Sequence, residues 1–273
     1  MENEAKNGTL TVPGTSQASQ GGPVVLLMAG GALGWIVANQ LAKRFPGLVI
    51  LEENPESKAS VIRRRARLLG WASALGQAAC GVALRALDRR ASARRHAICE
   101  HHGLQPQPSA EADVRRIPSV NSSQCRTLLA ELQPSVVAVY GTRILSRLTL
   151  AAVGAPFINY HAGINPKYRG QHPAYWALAN RDAANAGVTV HLVDHGVDTG
   201  DVLYQARVSF EPSDTIATYQ WAQLPVAIPL LERAILDARA GTLNPGRVSL
   251  PSAQYFPPTL WAYFWIGVAR RVW

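Results

Sequence analysis

Three side chains in the middle of the chain hold the elements of acyl-transfer chemistry: Asn159, His161 and Asp198. They supply an amide, an imidazole and a carboxylate: a hydrogen-bond donor, a group able to hold positive charge, and a proton acceptor. Asn159 and His161 stand two residues apart at the end of an apolar run, Phe157 to Tyr160, that reads as a strand. Strand side chains alternate, so the two point the same way. Two donors on one face can hold an oxygen that turns negative in a transition state. A nearby carboxylate can take a proton from an incoming amine or keep the imidazole charged. The set suits acyl transfer between nitrogens with no covalent enzyme intermediate. No Gly-x-Ser-x-Gly elbow and no cysteine in a nucleophile setting competes with it.

The flanking residues extend the site. After His161 the chain breaks at Gly163, Asn165 and Pro166, then runs through Lys167-Tyr168-Arg169-Gly170. Tyr168 and Arg169 are expected at the substrate mouth, with bracing of the loop as the alternative. A second strand carries His191 and leads into the loop Asp194-His195-Gly196-Val197-Asp198-Thr199-Gly200. His191 reads as support for the site more than as a reacting group. His191, Asp194 and His195 also spell HxxDH, a nitrogen and oxygen ligand set. That spacing aligns ligands on a helix, whereas this stretch is strand and then glycine turn. A metallohydrolase is therefore the lesser reading, and no metal is expected.

Positioning these groups calls for an α/β architecture. Val24 to Met28 is a continuous apolar run, as in a strand buried on both faces. A Gly30-Gly31 turn, a helical repeat at Leu33, Ile36, Val37 and Leu41, and a strand at Leu48 to Leu51 follow, which makes a βαβ opening. The turn does not fit GxGxxG, since position 32 is Ala. Backbone N–H groups at a helix start still favour an anion, so Gly30 and Gly31 are candidate substrate contacts as well as simple turn formers. Further on, Cys125–Leu132 and Ile144–Ala152 read as helices, Val136–Tyr140 and Val202–Phe210 as strands, and Pro173–Asn180 as a helix. Ser213 and Asp214 offer N-caps before a long apolar helix that Pro225 and Pro229 should kink or divide.

The 273 residues, 48% hydrophobic, suffice for one sizeable core. The net charge of +9 implies an anionic partner. Three cysteines with no CxxC spacing exclude a disulfide framework or zinc ribbon and fit a reducing cytoplasm. Residues 1–21 read as a disordered tail with no signal-peptide pattern. Residues 57–104 read as a basic insertion of one or two helices. Arginines sit at both ends, and Leu68 to Leu84 carries no charge. That run is too short and too rich in Gly, Ser and Gln to span a membrane. It could lie on an anionic membrane surface, with solvated arginines on a packed hairpin as the plainer reading. Residues 246–273 form an aromatic C-terminal extension that could join it there.

Val136 to Gln205, about a quarter of the chain, resembles the formyltetrahydrofolate-dependent formyltransferases of the glycinamide ribonucleotide transformylase-like family. The resemblance rests on Asn159-Tyr160-His161, Pro166-Lys167-Tyr168-Arg169-Gly170, Val190-His191-Leu192-Val193 and Asp194 through Gly200, with Gly141-Thr142-Arg143-Ile144-Leu145 upstream. Order and spacing together are far more specific than any single piece. The resemblance implies a Rossmann-like, mostly parallel sheet with flanking helices, spanning residues 22–245. It implies 10-formyltetrahydrofolate as co-substrate. Asn159 and His161 would stabilise the oxyanion formed when an amine attacks the formyl carbon, and Asp198 would assist proton transfer. Arg143, Ile144, Leu145, Val193, Asp194 and Asp198 would line the pterin pocket. Within this family methionyl-tRNA formyltransferases have a sizeable second domain, whereas about 30 residues follow Gly241 here. The expected acceptor is an amino sugar, nucleotide- or lipid-linked, for surface polysaccharide. No nucleic acid partner is expected, and the expected location is the cytoplasm, peripheral to the inner face of the membrane. Glycinamide ribonucleotide, methionyl-tRNA, deformylase activity and a non-catalytic binding role remain the alternatives.

Overall fold

The computed structural model describes residues 21–86 and 88–273. The expected N-terminal tail, up to residue 20, lies outside them. The chain begins with strand β1 (Val24–Met28), helix α1 (Gly31–Arg44) and strand β2 (Val49–Glu53). Three helices follow: α2 (Lys58–Leu69), α3 (Trp71–Ala86) and α4 (Asp88–His102). Then come β3 (Asp113–Ile117), α5 (Ser123–Leu132), β4 (Val136–Tyr140), α6 (Arg147–Leu150) and β5 (Phe157–His161). A short strand β6 (Arg169–Gly170), helix α7 (Pro173–Ala179) and strands β7 (Gly187–Leu192) and β8 (Val202–Arg207) precede the long helix α8 (Tyr219–Ala240). Strand β9 (Gln254–Tyr255) and helix α9 (Leu260–Arg270) close the chain.

The main sheet has seven strands in the order β3-β2-β1-β4-β5-β7-β8. The run from β3 to β5 is parallel, and β5-β7-β8 is antiparallel. The central strands are apolar throughout because both their faces are covered. Leu26, Met28, Ala138 and Ile158 face the cluster built with α1 and α8. Val25, Leu27, Val137 and Val139 face the opposite one, with Leu129 of α5. Each fully buried Val, Leu, Ile or Met side chain among them contributes about 1.5–3 kcal/mol of transfer free energy. The carboxyl ends of β1, β4 and β5 fall on one edge, since Leu27 pairs with Val139 and Val139 with Asn159. That edge is where open α/β sheets place their sites.

Four expectations about elements need correction. The basic segment forms three helices, because Gly70, with φ of 83°, separates α2 from α3. The helix expected over Ile144–Ala152 shrinks to Arg147–Leu150, capped by Ser146, because residues 141–145 are held irregular by bonds to Glu53 of β2 and to Asn121 in the turn before α5. Helix α8 runs unbroken through Pro225 and Pro229. The two prolines are four residues apart and lie on its wetter side, so the carbonyls they orphan, Trp221 and Pro225, lie in one line. The opposite face, with Leu224, Ala227, Ile228, Leu231 and Ala234, holds the helix on the sheet. Finally, α8 starts at Tyr219, with Thr218 rather than Ser213 or Asp214 at the N-cap position. Asp214 is buried instead in an ion pair with Arg94 at 2.9 Å.

Candidate active site

The structure brings Asn159, His161 and Asp198 together and adds His191. Pairing of β5 with antiparallel β7 sets Asn159 opposite His191 and His161 opposite Thr189. Asp198 enters from the loop after β7, with φ of 53°. Its Oδ2 lies 3.4 Å from His161 Nδ1, and its Oδ1 lies 3.6 Å from His191 Nε2. The Gly170 N–H donates to Oδ2 at 3.0 Å. Burial alone would push the Asp198 carboxyl up. The facing His161 and the Gly170 N–H outweigh it and hold the group well below the usual carboxylate range.

Both ring nitrogens of His161 face oxygens. Nε2 lies 2.8 Å from the Tyr168 carbonyl, and Nδ1 faces Asp198. A carbonyl and a carboxylate only accept, so bonding both needs a ring with two N–H groups, the charged imidazolium. His191 differs. Its Nδ1 lies 2.7 Å from the Leu192 carbonyl, and Nε2 lies 3.1 Å from Asn159 Nδ2. The neutral ring, donating from Nδ1 and accepting at Nε2, satisfies both partners. Asn159 thus donates to His191, and its second N–H reaches Asp198 Oδ1 at 3.5 Å. That distance is at the limit of a hydrogen bond, so this donor can turn to a stronger acceptor. Asn159 thus keeps one loosely held N–H, while both ring nitrogens of His161 face the Tyr168 carbonyl and Asp198.

The turn after His161 is fixed from three sides. A Cβ on Gly163 would stand 2.7 Å from His161 Nε2, so only glycine fits there. Thr189 donates to the Gly163 carbonyl at 2.6 Å and accepts from Asn165 N–H at 3.1 Å. Gln223 of α8 donates to the carbonyls of Ala162 and Gly187 at 3.0 and 2.7 Å.

Other expected site residues divide. Tyr168 is not at the mouth: its ring is buried, and its hydroxyl donates to Asp182 at 2.8 Å. Only its carbonyl reaches the site. Arg169 braces, donating to the Val197 carbonyl at 2.8 Å and to Ser252 at 3.0 Å. Gly30 and Gly31 lie at the sheet edge where β1 gives way to α1. The Arg143 guanidinium turns away to Glu53 at 2.6 Å and to the Asn54 carbonyl at 2.8 Å. Ile144 is exposed, while the Leu145 side chain is buried. Among the described residues no hydrogen bond takes up the backbone N–H or C=O of Leu145. Val193 and Asp194 open the Asp198 loop, where Asp194 accepts from Gly196 N–H and from the Thr199 hydroxyl. His195 is exposed, and no group of three His, Cys, Asp or Glu side chains among the described residues is arranged to hold a metal ion.

Two positioning residues escape the sequence reading. Glu53, at the end of β2, is buried and accepts from the Arg143 and Val120 backbone N–H groups at 2.7 and 3.1 Å. A buried acid ending an apolar strand was the available signal. His172 opens α7 in the left-handed region, φ 53°. Burial, with the Arg65 charge beside it, lowers its pKa to about 4. Arg65 of α2 donates to Gln171 at 2.9 Å, so the basic segment reaches the rim of the site.

Comparison with known proteins places this arrangement. A family model described as formyl transferase matches residues 89–228. A methionyl-tRNA formyltransferase of Caldanaerobacter subterraneus subsp. tengcongensis is 36% identical over 133 residues, 47% of this chain and 42% of that protein. Its counterpart in Halothermothrix orenii is 30% identical over 163 residues, 56% of this chain and 51% of that protein. The chain spans about half the length of these curated relatives. A sugar N-formyltransferase from a Shewanella species superimposes with a TM-score of 0.52 at 16% identity, over 85% of this chain and 75% of that one. An N-formyltransferase from Helicobacter canadensis, solved with folinic acid and dTDP-3-aminofucose, gives 0.53 at 13%, over 85% and 70%. At these identities the structural likeness establishes the fold.

Proposed function

Since this chain belongs to the formyl transferase family, we propose that it moves a formyl group from 10-formyltetrahydrofolate to the primary amine of a nucleotide- or lipid-linked amino sugar, a precursor of surface polysaccharide. The observation that carries the reading is the closed set of Asn159, His161, His191 and Asp198 at the end of β5. A folate fits the edge beside it. The open N–H and C=O of Leu145 match the donor and acceptor edge of a pterin amide. The exposed Ile144 adds apolar surface for the ring.

When bound, the folate would supply the formyl carbon: the amine's new C–N bond replaces that carbon's bond to the folate nitrogen, which leaves with the proton the amine gave up. The protein's share is electrostatic and protonic. Asp198 stays ionised at neutral pH and takes a proton from the attacking amine, directly or through one water. The His161 charge favours negative character on the acyl oxygen, and the loosely held Asn159 N–H turns toward that oxygen. His191 orients Asn159.

The amino-sugar assignment draws on the fold shared with sugar N-formyltransferases along most of this chain, and on the basic charge offered to a phosphorylated acceptor. Methionyl-tRNA is the second reading, favoured by the relatives at 36% identity. A tetrahydrofolate-release assay with nucleotide-linked amino sugars, glycinamide ribonucleotide and methionyl-tRNA decides between them. Turnover confined to an amino sugar supports the proposal. Preference for methionyl-tRNA overturns it, and tetrahydrofolate release with no acceptor identifies a deformylase.

A further inference from the structure

Helix α9 is apolar on every side. Its inner face, Tyr263 and Ile266, packs with Cys80, Tyr175 and Tyr219. Its outer face carries Trp261, Phe264, Trp265 and Val268, and here a helix on a globular surface would be polar. Phe264 is 64% exposed and Trp265 60%. Helix α9 packs on α3, and the Trp261 ring lies where a Cβ on Gly76 would be. Helix α3 repeats the pattern. Trp71, Leu75 and Val82 line one exposed stripe, 61%, 57% and 64% accessible, and Leu68 of α2 continues it. Segments nearly two hundred residues apart thus meet at Gly76 and Trp261, and each carries an exposed apolar face well beyond the scattered apolar residues of an ordinary surface.

The charge on these helices is basic, with Arg64 paired to Glu56 just ahead of α2 at 2.5 Å. Residues 58–86 contain Lys58, Arg63, Arg64, Arg65, Arg67 and Arg85 and no acid. Residues 256–273 contain Arg270 and Arg271 and no acid. Arg63, Arg67, Arg85 and Arg271 are exposed. A second copy docked face to face would set these cations against their own kind, which disfavours self-association. Among the described residues no helix is long and apolar enough to cross a membrane. An occupant must therefore be apolar within, anionic at its surface and met from one side.

We propose that the α3–α9 face docks on an anionic lipid bilayer, with Trp71, Trp261, Phe264 and Trp265 in the boundary between headgroups and acyl chains and the arginines on lipid phosphates. Tryptophan suits that boundary, since its ring is apolar with one polar N–H. Docking of this kind draws on apolar burial and on attraction to anionic lipid together. Through Arg65 and Gln171 the docked helices adjoin Gly170, whose N–H holds Asp198. The surface stands on its own residues and does not depend on which amine the site formylates.

The test is flotation of the full chain with phosphatidylcholine vesicles containing about a third phosphatidylglycerol, compared with phosphatidylcholine alone. The proposal expects binding about tenfold or more stronger to the anionic vesicles, weakening with salt. Brominated lipid should quench tryptophan fluorescence. Phe264→Ser with Trp265→Ser, and separately Arg63→Glu with Arg67→Glu, should each lower binding about tenfold while the melting transition and far-UV spectrum are kept. A folded wild-type chain that stays with the unfloated fraction overturns the proposal. So does a wild-type dimer that Phe264→Ser with Trp265→Ser splits into monomers with no change in flotation, because the face then belongs to a second copy. No folate or amine enters this assay, so its failure and a failure of the transfer reaction are told apart.

Discussion

Asp198 is the single residue on which the chemistry converges, since it touches both histidines, Asn159 and the Gly170 N–H. Asp198→Asn keeps the shape and removes the charge. Turnover should fall about 10²–10³-fold with the fold retained, as for other proton-transfer and electrostatic groups. Its depressed carboxyl also stabilises the fold. That contribution is complete above the unfolded carboxylate pKa of about 4 and is lost as pH falls below it. Urea titrations should show wild type more stable than Asp198→Asn at pH 7, with the gap closing in acid. A constant gap would refute the linkage. His172 gives a second window. Its pKa is depressed to about 4, so the unfolded chain takes its proton first as pH drops from about 6.5. Stability should decline over that range, and His172→Asn, which tolerates the left-handed backbone, should flatten the slope. Asn159, His161 and Asp198 were legible in the sequence because strand alternation and an Asp-x-Gly loop are local patterns. The tie from His161 to the Tyr168 carbonyl and the partnership of Asn159 with His191 were not, since both depend on how the turn folds back and how β7 pairs.

At the scale of elements, the loop at residues 141–145 is shaped from a distance. Glu53 ends β2, two strands away from β4, yet it accepts from the Arg143 backbone and pairs with its guanidinium. Glu53→Gln removes the charge that holds this loop. Because breaking a buried pair leaves an uncompensated cation, unfolding free energy should drop by about 3 kcal/mol. The KM for 10-formyltetrahydrofolate should rise several-fold more than kcat falls. An unchanged KM would mean that the loop does not bound the folate. The central strands were readable as apolar runs, because both their faces are covered, whereas β3, Asp113–Ile117, is a polar edge strand that no apolar run announced. The extent of α6 and the continuity of α8 were not. The first is limited by Glu53 and Asn121, which lie far off in sequence. The second is held by a buried face that overrides what two prolines would do alone.

Across the whole molecule the parts differ in how firmly they are held. Strands β1 and β4 are buried on both faces between α1, α8 and α5. Helices α2 and α3 attach through one side only and leave Leu68, Trp71 and Leu75 in solvent. Native-state hydrogen exchange should find the slowest amides in β1, β4 and α8, and markedly faster opening in α2 and α3. Equal protection would show that the basic helices fold as one unit with the sheet. Composition announced the basic helices and the aromatic end separately. Their meeting across Gly76 and Trp261 is tertiary and could not be read from either. Strand β9 has a consequence of another kind. It pairs with β6, and the Ala253 and Tyr255 carbonyls accept from the Arg169 and Gln171 N–H groups beside the Asp198 carboxylate. The reacting groups are all translated by residue 198, but the wall behind them is not complete until residue 255. If these groups react as proposed, a nascent chain that already carries all of them still has an unfinished site on the ribosome.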